Sequence, residues 1–155
     1  MKFYPDKKLL AKNLIASLFI FLFVYTGLTK FINIESFKTA LGSSSILKPV
    51  AGILSFAVPL TELAISTLLF IPVSRRIGFL CSMILMGLFS VYIMAMLLFA
   101  SELPCSCGGI IQQMNWTQHL IFNIVFTILG FTGWILSKKH NKDLFAISRQ
   151  SRIPV

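Results

Sequence analysis

Four runs of apolar residues, each long enough to cross a lipid bilayer, dominate this chain at residues 13–31, 50–71, 77–100 and 116–136. A hydrocarbon core about 30 Å thick takes about 20 apolar residues in helical form. Backbone groups in lipid must find their hydrogen bonds within the segment, so such runs fold as helices. The expected fold is an all-α membrane protein, an antiparallel four-helix bundle forming one domain over residues 1–137, with a basic tail over 138–155. Charged residues make up only 12% of the chain, about half the share usual in soluble domains. The first run is too long for the apolar core of a signal peptide. The segment after it, "GLTKFINIE", lacks a small-residue cleavage site, so it reads as a retained helix.

The net charge of +9 would suit a nucleic-acid ligand only if the basic residues formed one patch. They flank the apolar runs instead, which speaks against nucleic acid and for lipid. Lys2, Lys7, Lys8 and Lys12 precede the first run, Arg75 and Arg76 sit between the second and third, and Lys138, Lys139, Lys142, Arg149 and Arg152 follow the fourth. Only Lys30, Lys38 and Lys48 fall on the other side. The positive-inside bias then puts both termini in the cytoplasm. The expected location is a bacterial inner (plasma) membrane, with the connection between the third and fourth runs facing the periplasm.

Gly42 and Pro49 stand before the second run, Pro72 after it and Pro104 after the third. The longest connection, "IESFKTALGSSSILKP", places Ile34, Phe37 and Leu41 at helical spacing, the pattern of a short amphipathic helix on the outer surface. Beyond Ser137 the chain is polar and basic and is expected to be mobile.

Inside the second run, Ser55, Pro59, Glu62 and Ser66 share one helix face. A charged side chain at mid-membrane costs about 2.5–3.5 kcal/mol on insertion scales, so Glu62 should face the bundle interior. It could bind a quinone head group or relay a proton. The structural alternative is a hydrogen bond to Tyr25, Thr26 or a backbone carbonyl that glues helices together. In the fourth run His119, Asn123 and Thr127 form a second stripe at intervals of four. Asn123 and Thr127 would join Glu62 in a polar, cofactor-binding pocket. Met83, Met86 and Met94 in the third run would bind a soft metal only if their sulfurs converged; packing is the simpler reading.

The most chemically pointed stretch is "ELPCSCGGIIQQMNWTQHLIFN", residues 102–123, which holds Cys105 and Cys107 one residue apart. The periplasm is a compartment where disulfides form and persist. A bridge across a single residue closes a tight turn, and strain makes such a bond easier to reduce. Pro104 fixes the entry, and the following glycines allow unusual backbone angles. His119, about one turn below the surface, could stabilise a thiolate or accept the thiol proton, or simply be an interfacial histidine held by a helix neighbour. Trp116 reads as an aromatic-belt anchor. Soft-metal binding, with Met114 or His119 as further ligands, and disulfides to another subunit remain open.

Three stretches carry a resemblance: "YTGLTKF" at the end of the first helix, "VPLTELAISTLLFIP" in the second, and "PCSCGGI" followed by "MNWTQHLIFNIVF" entering the fourth. Over about residues 16–136 the chain resembles the MauE/DoxX-like family of redox-associated four-helix membrane proteins. That resemblance implies a periplasm-facing thiol–disulfide role, like that of members associated with disulfide formation in a periplasmic dehydrogenase or with quinone-linked sulfur oxidation. Cys105 and Cys107 would be the redox pair and Glu62 a buried polar site. Membrane disulfide generators that use quinone have two residues between paired cysteines and normally a second pair. This chain has neither, so a partner would supply the missing thiols.

The expected function is thus thiol–disulfide exchange with an extracytoplasmic protein, with Cys105, Cys107 and His119 as the reacting and tuning groups, and with a quinone as the expected cofactor at Glu62, Asn123 and Thr127. The rival readings are a non-enzymatic accessory or assembly subunit of a larger membrane complex, and copper handling.

Overall fold

A computed structural model describes residues 7–44, 47–99 and 115–150. Among them the chain forms five α-helices: α1 (Lys7–Ile32), α2 (Ile34–Ser43), α3 (Ala51–Phe70), α4 (Arg75–Phe99) and α5 (Trp116–Gln150), with a 3-10 turn at Lys48–Val50 leading into α3. Four of these elements are long and apolar enough to cross a membrane, at Lys7–Ile32, Lys48–Phe70, Arg75–Leu98 and Trp116–Ser137.

Local chemistry explains the helix ends. Asn33 breaks α1 from α2, yet its backbone N–H and its Nδ2 both donate to the Thr29 carbonyl at 3.0 Å, so the chain turns without leaving that carbonyl unpaired. The tight turn between α3 and α4 meets the exposed carbonyls of the α3 C-terminus. The Ser74 hydroxyl donates to Leu68 O at 2.8 Å and Arg75 Nε to Leu69 O at 2.9 Å. Arg75 Nη1 also donates to Asn13 Oδ1 at 2.8 Å, tying this corner to α1. At the start of α5 the Gln118 side chain accepts from the Asn115 N–H at 3.0 Å, one half of a capping box.

Packing is closest between α1 and α3 and between α4 and α5, and less extensive between α3 and α4. Phe19, Phe23, Leu69 and Phe79 are fully enclosed at the centre. The Phe19 ring meets Phe126 edge-on at 5.3 Å and Phe79 at 6.5 Å, a favourable aromatic arrangement. Small residues bring α4 and α5 together: Gly130 abuts the Met83 backbone, and a Cβ at Gly133 would stand 2.5 Å from the Phe79 ring. Close approach through small residues is the usual way helices associate where lipid removes the hydrophobic drive. The outer surface carries Phe21, Ile53, Phe56, Phe70 and Val91, an apolar exterior suited to hydrocarbon.

Two elements differ from the sequence reading. The segment after Ser137, expected to be mobile, continues α5 as one helix to Gln150. The short amphipathic helix forms as α2, but its apolar face does not lie open: Phe37 and Leu41 are buried with Ala51 and pack against Leu47, Leu54 and Val58. It caps one end of the bundle, over the site described next.

Candidate functional site

Where α1 and α4 end and α3 and α5 begin, the helices diverge around a cavity of about 380 Å³, within the size range of small-molecule sites. Its wall is mostly aliphatic and aromatic, with Phe37, Phe89, Trp116 and Phe122 among the lining residues. Its polar groups come from four helices: Thr26 and Lys30 from α1, Thr61 and Glu62 from α3, Tyr92 from α4, His119 and Asn123 from α5.

Glu62 is 1% exposed. Its Oε1 accepts a charge-assisted hydrogen bond from Lys30 Nζ, a salt bridge between a fully buried carboxylate and a part-buried lysine. Lys30 Nζ also lies 5.7 Å from the centre of the Phe37 ring and 5.8 Å from that of Phe89, within cation–π range of both. The lysine that the charge count assigned to an outer flank therefore turns back into the bundle, its ammonium held by one carboxylate and two ring faces. The other carboxylate oxygen, Oε2, has no hydrogen-bond partner among the described residues. Asn123, 2% exposed, likewise leaves its Nδ2 without one. The large majority of buried side-chain polar atoms have a partner, so an acceptor and a donor both unsatisfied at one cavity are a notable combination.

The sequence-expected residues distribute as follows. Glu62, His119 and Asn123 line the same cavity. Thr127 does not line it; its hydroxyl donates to the Asn123 carbonyl at 2.8 Å, one turn back along α5. His119 is half-buried, and its backbone N–H completes the first turn of α5 by donating to Asn115 O at 2.9 Å. Cys105 and Cys107, with Pro104 and Met114, lie outside the described residues. Of the methionines, Met86 is buried and lines the cavity, Met83 faces α5 at Gly130 and Met94 points outward. Among the described residues no group of three or more His, Cys, Asp or Glu side chains could hold a metal.

Sequence reasoning missed Lys30 as the partner of Glu62, and Trp116 as part of the cavity wall. A signal for Lys30 was present: Leu22, Thr26 and Lys30 repeat at intervals of four and so share one face of α1. A residue one turn from the expected partner Thr26, with a longer side chain, can reach the same carboxylate.

The match that decides the family covers nearly all of this bundle. A family described as methylamine utilisation protein MauE matches residues 8–136. The chain belongs to the MauE family. With its four apolar helices, this MauE-family chain is a multi-pass membrane protein. No curated protein and no solved structure matches it significantly.

Proposed function

We propose that this MauE-family protein is an inner-membrane accessory protein of a redox system, exchanging disulfides with an extracytoplasmic partner through Cys105 and Cys107. The observation that carries the reading is covalent. Helix α4 ends at Phe99 and α5 begins at Trp116, and residues of both (Tyr92 and Ile93, Trp116 and His119) line the cavity. The stretch bearing Cys105 and Cys107 is therefore tethered at both ends to the wall that holds Lys30, Glu62 and Asn123. Family membership supports a membrane-bound accessory role, and the charge asymmetry supports a periplasmic position for the thiols.

The exchange balances without an outside reagent. A thiolate of a reduced partner attacks one sulfur of the Cys105–Cys107 bond, which breaks to give a mixed disulfide and a free thiolate. A second partner thiolate attacks the mixed disulfide, leaving the partner oxidised and the pair reduced, with two electrons and two protons transferred. Repeated turnover then needs a two-electron acceptor, for which a membrane quinone is the fitting class. His119 stands at the same end of the bundle and would tune the attacking thiolate.

Single and double variants test this. Cys105→Ser or Cys107→Ser alone should trap a mixed disulfide with a partner peptide supplied in its disulfide form, the remaining thiolate attacking that bond and expelling one peptide thiolate, visible on non-reducing gels, and the double variant should trap none. Full exchange by the double variant would refute the reading and favour a purely structural accessory subunit.

A further inference from the structure

We infer that the cavity binds a bilayer-dissolved amphipath whose flat head carries carbonyl or hydroxyl oxygens, and that this molecule enters sideways between α3 and α4. Three observations converge. The first is the pair of unsatisfied atoms. Asn123 Nδ2 needs an acceptor and Glu62 Oε2, as a carboxylate oxygen, needs a donor. Both side chains are more than nine-tenths buried at the same cavity. A carbonyl oxygen satisfies the first, a hydroxyl the second, and Lys30 adds a cationic donor at the same cavity. The second is the wall, which Phe37, Phe89, Trp116 and Phe122 line with aromatic surface that suits a flat head.

The third is the way in. Ala57, Thr61 and Leu88 line the cavity yet are exposed on the outside of the bundle, Leu88 by 61%. They mark a gap between α3 and α4, which pack on each other less extensively than α1 on α3 or α4 on α5. The Thr61 hydroxyl hydrogen is donated to Ala57 O at 2.7 Å, and with Ala57 and Leu88 beside it the gap is mostly apolar. In a membrane it opens onto hydrocarbon, which suits a ligand with a long apolar tail and excludes a freely water-soluble one. At the other end α2 closes over the cavity with Phe37 and Leu41.

Two sources share this chemistry: an isoprenoid quinone, and a monoacyl lipid with ester carbonyl and free hydroxyl. A quinone, when bound, would supply an acceptor for two electrons and two protons. As the site of that acceptor the cavity rests on the thiol–disulfide reading; as a binding site it does not.

The experiment uses the full chain in phosphatidylcholine nanodiscs, with Cys105 and Cys107 both replaced by Ser so that binding is read apart from exchange. Trp116, one of the two tryptophans, lines the cavity and reports through its fluorescence. Decylubiquinone should quench it saturably. Trp116→Phe, which leaves Trp134 near the opposite end of the bundle, should remove the saturable part. Asn123→Leu should weaken binding about tenfold, and Ala57→Phe, which fills the gap, should slow or abolish entry while the unfolding midpoint stays unchanged. Monoacylglycerol displacing the quinone, or binding where the quinone does not, would assign the site to the lipid source. Absence of saturable binding by either probe, or binding indifferent to Asn123→Leu and Ala57→Phe, would overturn the inference. Binding without exchange in the native chain would refute only the thiol reading, and exchange without binding only this one.

Discussion

Lys30 and Glu62, 32 residues apart in sequence, form a largely buried ion pair that joins α1 to α3 at the wall of the cavity. Either charge left without the other would be costly there. Breaking a buried pair by removing one partner typically costs about 3–5 kcal/mol, whereas replacing both by neutral groups of similar volume is often harmless. Lys30→Met or Glu62→Gln alone should therefore lower the unfolding midpoint sharply in micelles, and the two combined should recover most of it. A double variant as unstable as the two singles added together would show that the pair does not couple the helices.

Close packing of α4 on α5 predicts a contrast between two glycines. A methyl group at Gly133 would run into the Phe79 ring, while at Gly87 it would meet nothing within 4 Å. Gly133→Ala should destabilise by about 1–3 kcal/mol, as overpacking does. Gly87→Ala, in the middle of α4, should be neutral or stabilising by roughly 0.5–1 kcal/mol. Thermal or denaturant unfolding of the two variants in the same detergent checks the ordering.

Membrane topology gives a third test. Arg75 and Arg76 begin α4, and Cys81 sits within two turns of them, half-buried. If the basic end is cytoplasmic, a membrane-impermeant maleimide added to reduced, intact spheroplasts should label Cys105 and Cys107 and spare Cys81. Protease added from the same side should also spare a C-terminal tag. Labelling of Cys81 alone would invert the orientation.

Arg75 supplies a fourth. Its guanidinium joins the α3 terminus at Leu69 O to Asn13 on α1. Arg75→Ala removes both hydrogen bonds and should cost about 1–3 kcal/mol, given that each bond to a charged group is worth more than a neutral one. Arg75→Lys keeps the charge but cannot span both acceptors, so it should recover less than half of the loss in the same unfolding measurement.

What was legible in the sequence was what length and period alone determine. Apolar runs of about 20 residues have one way to satisfy their backbone in lipid, so the all-α membrane fold followed from them. The burial of Glu62 followed from its place at mid-run, and the 34, 37, 41 spacing announced α2. The partner of Glu62 did not follow, because a lysine at a helix end can snorkel outward or turn inward. Only the packing of Phe37 and Phe89 around its ammonium decides which. Trp116 is a similar case: the same aromatic ring serves as a belt anchor or a cavity wall depending on how α5 is rotated. The segment 138–150 looked like a polar tail because it lacks an apolar stripe, yet helix propagation from a long, stable α5 needs none.

The thiol reading is tested most directly by the reduction potential of the Cys105–Cys107 pair in the purified protein, titrated against glutathione and read by thiol alkylation and mass spectrometry. An exchange protein should show a reversible two-electron transition at roughly −120 to −230 mV. A bond still closed below about −300 mV is a structural disulfide, and thiols that never pair form no redox couple; either result would contradict disulfide exchange at this site.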